Sequence, residues 1–191
     1  EVGIRAINWI WLIYFIQKAH LKSVFWLKIN NSLLDHMIYI ENNWEIYDTI
    51  TNNHYLSNLL GYLYLCLHFK TIYPEFTKKA AWCHEQFVNE LKKQVLPDGS
   101  HYEGSTGYHR FITQIVRHFM LCSQELGLPT DYLKQTLIML NQFNNDCTAP
   151  SGNLVLIGDY DSGAVTKFDI INQNHHNYQN TSNYPNFGIK I

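Results

Sequence analysis

HYLSNLLGYLYLCLHFK, residues 54–70, is apolar on nearly every side when wound as a helix. Leu56, Leu59, Leu60, Leu63, Leu65 and Leu67 leave little polar surface for water. A helix of this kind is an inner one, covered by its neighbours. Other helices are therefore expected to pack around it. The patterns on both sides agree. In residues 1–19, Ile4, Ile7, Trp11 and Tyr14 recur at helical spacing. A second helix is predicted over 22–41 with Val24, Leu27, Leu34, Met37 and Ile38, and Asn30-Asn31-Ser32 is a candidate interruption. Beyond Pro74, Phe76, Ala80, Phe87, Leu91 and Val95 share one face of a helix over 75–96. A fifth helix over 105–126 ends at Gly127, a good C-cap, and Pro129 bars its continuation. The sixth, over 130–143, carries Tyr132, Leu133, Leu137 and Leu140.

Six helices with short polar links predict an all-α chain of stacked antiparallel pairs. An incomplete α/α toroid is the natural closed form, although periodicity shows helices and not closure. The helical domain is expected over 1–148. At Ala149 the character changes, and Leu154 to Ile157 between glycines reads as one strand or an extended segment within a C-terminal stretch, 149–191. After Lys167 the sequence is rich in Asn, Tyr and His, as in a long loop or a lead into a further domain.

Composition narrows the function classes. The 191 residues are 46% hydrophobic and 15% aromatic, with a net charge of −2 and no basic block. Nucleic-acid affinity rests mainly on phosphate neutralisation, so that class is set aside. The apolar run Ile7 to Ile16 is too short to cross a membrane. The opening EVGIRAINWIWLIYFI carries no basic leader and starts as if in mid-helix, so a fragment of a longer protein is expected. Cys66, Cys83, Cys122 and Cys147 are widely spaced, and read as buried free thiols or, alternatively, as disulfide partners.

Chemistry concentrates in PDGSHYEGSTGYHR, residues 97–110. It holds an Asp98-Gly99 turn, Glu103, Ser105, Tyr108, His101 and His109, and ends on Arg110. Tyr108 is a candidate for proton transfer if His54, His109 or Arg110 supplies a cation beside it, since a phenol otherwise titrates near about 10. It reads equally as a packed helical tyrosine. Glu103 and Ser105 read as helix caps or as supports for a neighbouring cation, and His101 as a solvated loop side chain. Asn52, Asn53 and His54 stand at the predicted start of the inner helix. Free N–H groups and the helix dipole favour an anion there, and the plainer reading is an Asn cap. Asp159-Tyr160-Asp161 forms a tight turn or a weak metal site, with His175 and His176 too remote to assume convergence.

NNHYL at 52–56, PDGSHYEGSTGYHR at 97–110 and GDYDSG at 158–163, with the opening EVGIRAINWIW, resemble the heparinase II/III-like polysaccharide lyases. The resemblance implies an α/α toroid, followed in full-length members by a β-sandwich that supplies a further histidine and, in some members, a zinc. No cofactor is implied within this stretch. It also implies β-elimination on an acidic polysaccharide such as heparan sulfate or alginate, in the periplasm or outside the cell. Asn53 and His54 match the carboxylate-neutralising pair and Tyr108 the catalytic tyrosine. Asn52, Glu103, His109 and Arg110 are candidate substrate supports. Two other readings stand beside this one. They are a hydrolase using Glu103 with Asp159 or Asp161, and a non-catalytic helical module that binds sugar.

Overall fold

The computed structural model describes residues 1–46, 51–160, 163–166, 183–187 and 189–190. Most of them lie in six helices: α1 Val2–Ile16, α2 Ser23–Asn42, α3 Asn53–Phe69, α4 Phe76–Gln94, α5 Thr106–Glu125 and α6 Asp131–Asp146. The chain is all-α in architecture. Two short strands, β1 Asn183–Tyr184 and β2 Ile189–Lys190, pair antiparallel. None of the described helices is long and apolar enough to cross a membrane. The chain packs as two compact units. Unit one is Glu1–Phe87 with Leu121–Leu128, and unit two is Val88–Met120 with Pro129–Ile191.

Helix α3 is the buried centre of unit one. From Tyr55 to Cys66 every side chain is buried, as its all-round apolar sequence requires. Burial forces its polar groups to find internal partners. Ser57 Oγ donates to Asn53 O at 2.8 Å, and Cys83 Sγ on α4 donates to Leu59 O at 3.2 Å. His68 Nε2 lies 2.9 Å from Asn30 Oδ1, which ties α3 to α2.

Helix α1 crosses α3 with no side chain between them. A Cβ on Gly61 would lie 2.3 Å from Gly3 Cα, and one on Gly3 would lie 2.4 Å from Ser57 O. Gly3, Ala6 and Ile7 are the buried residues of α1. The expected stripe through Tyr14 is not the buried one, since Tyr14, Phe15 and Leu12 face solvent. Helix α2 departs further from expectation. Its buried face is Ile29, Leu33, Met37 and Ile40, of which only Met37 was expected, while Val24, Leu27 and Ile38 are exposed and Leu34 is half-buried. Both stripes fit a helical period, and only contact with α1 and α3 selects one. Asn30-Asn31-Ser32 does not interrupt α2, because the Asn30 side chain bonds back to Trp26 O at 2.8 Å within the helix.

In unit two, the Asp98-Gly99 turn is tight. Asp98 Oδ1 accepts from Ser100 N and Oγ, and Gly99 adopts φ +84°, where a side chain would be strained. Helices α5 and α6 are joined by Asn144 Nδ2 donating to Thr113 Oγ1 at 2.7 Å. Leu154 to Ile157 is extended, with one bridge between Thr148 and Leu154 rather than a full ladder. All four cysteines are free and buried. Burial pushes the Cys66, Cys122 and Cys147 thiols up to about 12, which removes them as nucleophiles at neutral pH.

The Gly3–Gly61 crossing predicts a sign reversal. Glycine to alanine inside a helix ordinarily stabilises by up to about 1 kcal/mol. Gly61→Ala should instead destabilise by about 1–3 kcal/mol, because neither backbone can yield. A urea midpoint at or above the wild-type value would show that the helices are not in backbone contact.

Candidate functional site

The inner helix begins with a cap. Asn52 Oδ1 accepts from His54 N at 3.0 Å, and Asn52 O accepts from Tyr55 N at 3.2 Å. The Asn52 carboxamide oxygen therefore holds the helix end, and these two N–H groups are not open to an anion. That is the Asn cap of the plainer reading, and it occupies two of the N–H groups that an anion at this helix end would need. Asn53 is buried at 9% exposure, and the His54 side chain is 52% exposed.

His54 Nδ1 lies 2.6 Å from Glu45 Oε2, and Glu45 Oε1 accepts from Asn58 Nδ2 at 3.2 Å. Burial would raise the Glu45 carboxyl, but the bonds from His54 and Asn58 outweigh it and hold it below the usual value. An ionised carboxylate only accepts, so Nδ1 carries the hydrogen. In the neutral ring Nε2 then keeps its lone pair, and it has no hydrogen-bond partner among the described residues. A carboxylate that fixes a histidine tautomer in this way is the orienting half of a proton-transfer pair.

This pair lines an open cleft of about 870 Å³ in unit one. Arg5, His36, Trp44 and Asn58 line it too. Arg5 reaches the wall because α1 lies directly on α3. His36 Nδ1 is 2.6 Å from Ser32 O, while its Nε2 is buried with no hydrogen-bond partner among the described residues. Glu45, Asn58, Arg5 and His36 were not legible as site residues. Glu45 is nine positions from His54, and no periodicity connects them.

In unit two, the start of α5 is built around glycines. Ser105 Oγ accepts from Tyr108 N at 3.1 Å and donates to Asp159 O, so Ser105 is the cap and also ties down the 155–159 segment. Thr106 Oγ1 donates to Val155 O at 2.9 Å and accepts from Ile157 N at 3.0 Å. Gly158, at φ +73°, passes so close that its Cβ would sit 2.6 Å from Gly104 O. Gly107 leaves room for the Tyr160 ring, which a Cβ there would meet at 2.6 Å. Arg110 stacks over that same ring at 5.6 Å. Tyr108 and Glu103 are partly exposed and Asp159 is exposed. The motifs GDYDSG and EGSTGYHR thus meet physically. Asp161, His175 and His176 lie outside the described residues. Among the described residues no three His, Cys, Asp or Glu side chains gather as a metal site.

Two histidines of the 97–110 stretch differ from expectation. His101 is fully buried, with Nε2 3.1 Å from Gln94 Oε1, and burial pushes it down to about 3. It is not a solvated loop side chain. His109 is also fully buried, with Nε2 3.0 Å from Leu140 O and its ring 4.2 Å from that of Phe143. Burial holds it at about 4, against the opposing pull of the Leu140 carbonyl and Asp98. A neutral ring without exposed surface neither contacts a polysaccharide nor supplies a cation to Tyr108. Its role is packing between α5 and α6.

The structure therefore gathers Asn52, Asn53 and His54 with Glu45 in unit one. Glu103, Tyr108, His109 and Arg110 lie in unit two. The family model Heparinase II/III N-terminus matches residues 1–186 of the chain. No curated protein and no solved structure matches it.

The buried histidines set an acid limb of stability. Their folded values, about 3 and about 4, lie below the free value of 6.5. As pH falls below that free value, the unfolded chain binds protons that the folded chain refuses. Stability is full above it and declines toward the folded values, by up to about 1.4 kcal/mol per pH unit for each histidine. Urea midpoints at about pH 7.5 and about pH 5 should differ, and His101→Gln with His109→Gln should flatten the slope. Equal wild-type midpoints would refute the neutral buried pair.

Proposed function

The chain belongs to the family of heparinase II/III N-terminal domains, and on that premise we propose that it is the helical part of a polysaccharide lyase. Its substrate is a uronic-acid polysaccharide of the heparan sulfate or alginate kind, and the reaction is β-elimination. The observation that carries this reading is the Glu45–His54 pair on the wall of an open cleft, with Nε2 free of any described partner.

The C5 proton of a uronic acid is weakly acidic, because the neighbouring carboxylate can accept charge as it leaves. Arg5, with Asn53, partners that carboxylate in this reading. Fixed donors of this sort supply about 3–4 kcal/mol each when charge develops in the transition state. His54 Nε2 takes the C5 proton. The electron pair forms the C4–C5 double bond, the C4–O4 bond breaks, and O4 takes up a proton. The family resemblance alone assigns that last proton to Tyr108. Glu45 holds the imidazole in the tautomer that the step needs.

The full-length protein should release an unsaturated product that absorbs in the ultraviolet. His54→Ala and Tyr108→Phe should each lower kcat by about 10²–10⁴, and Glu45→Gln should lower kcat more than it changes KM. Undiminished turnover in Tyr108→Phe would remove that residue from the mechanism. New reducing ends without a double bond would mean hydrolysis. Sugar binding without any cleavage would mean a non-catalytic module.

A further inference from the structure

We propose that a second pocket in unit one, walled by Trp44, Tyr62 and Trp82 and flanked by Lys78, holds a neighbouring sugar ring of the same anionic polysaccharide. The pocket is about 400 Å³ and is completed by Glu41 and Lys79. Its size suits a small polar ligand bound on an apolar wall. Trp44 lines both this pocket and the cleft of His54, so the two adjoin at that ring. The identity of the ligand rests on the lyase reading above.

The aromatic wall is a connected cluster. Trp44 lies 5.4 Å from Tyr62 and 5.5 Å from Trp82, and Tyr62 lies 6.2 Å from Trp82. A cluster that served only the core would bury its rings. Here Trp82 remains 43% exposed. A flat indole open to water beside a polar floor is what the C–H face of a pyranose stacks on.

The polar floor is fixed in place. Tyr62 Oη and Lys79 Nζ both donate to Glu41 Oε1, each at 2.5 Å. Lys79 Nζ also sits 5.1 Å over the Phe76 ring. Burial would raise the Glu41 carboxyl, but these bonds outweigh it and hold it below the usual range, so it stays an acceptor. Its Oε2 has no hydrogen-bond partner among the described residues. That oxygen is free to accept from a sugar hydroxyl. Lys79 and Glu41 cancel in charge. Lys78 is exposed and has no ion pair among the described residues, so the pocket carries one uncompensated positive charge. Stacking face, hydroxyl acceptor and single cation together select an acidic or sulfated ring over a neutral one.

Intrinsic tryptophan fluorescence of the full-length protein tests this, with tetrasaccharides of alginate and of heparan sulfate and with neutral cellotetraose as the control. The acidic tetrasaccharides should change the emission and cellotetraose should not. Trp82→Ala and Lys78→Ala should each weaken acidic binding about tenfold, equivalent to about 1.4 kcal/mol. Trp82→Phe should restore most of it, and thermal melting should show all three variants folded. Binding of neither acidic tetrasaccharide, equal binding of cellotetraose, or wild-type affinity in folded Trp82→Ala would each overturn the pocket. Equilibrium binding needs no bond cleavage. A protein that binds as described yet yields no unsaturated product would sink the lyase reading and leave the pocket standing. Unsaturated product with Trp82-independent binding would do the reverse.

Discussion

Two backbones touch where α1 crosses α3. Gly3 and Gly61 approach so closely that neither tolerates a Cβ. The inner helix is apolar all round, so a neighbour must cover it, and at this point the neighbour covers it with backbone alone. Close approach brings the first turn of α1 against Ser57, Asn58 and Gly61 of α3. Arg5 and His54 consequently line one cleft. Buried polar atoms follow from the same closeness. Ser57, Cys83 and His68 all find partners inside unit one because water is excluded there.

Environment, not residue type, separates the histidines. His101 and His109 have lost their solvent and stay neutral, so they pack. His54 keeps half of its surface and faces a carboxylate that orients its hydrogen. His36 shares the cleft with one nitrogen bonded to a helix carbonyl and the other without a partner among the described residues. Only exposure with orientation prepares an imidazole for chemistry at neutral pH.

The start of α5 shows how short motifs become one structure. Gly104 and Gly158 meet backbone to backbone, and Gly107 admits the ring of Tyr160. Ser105 and Thr106 then tie the helix end to residues 155–159. Tyr108 lies in the first turn of α5, which is pinned in this way. Arg110 is steadied on the same tyrosine ring.

Helical period and apolar content are local properties, so the six helices, the inner place of α3, the Gly127 cap and the buried thiols could all be read along the chain. The family motifs were likewise contiguous, and the resemblance they carry singled out Asn53, His54 and Tyr108 as candidates. Which stripe of α2 is buried could not be read, because Val24-Leu27-Ile38 and Ile29-Leu33-Met37-Ile40 are both apolar and both helical in spacing. The neutral state of His109 was equally hidden, since a histidine shows its protonation only through what surrounds it. Glu45 reaches His54 nine positions away, and Trp82 reaches Trp44 across distant chain. Those contacts exist only because helix packing removes apolar surface from water, and packing is decided by the whole set of neighbours at once rather than by any one segment.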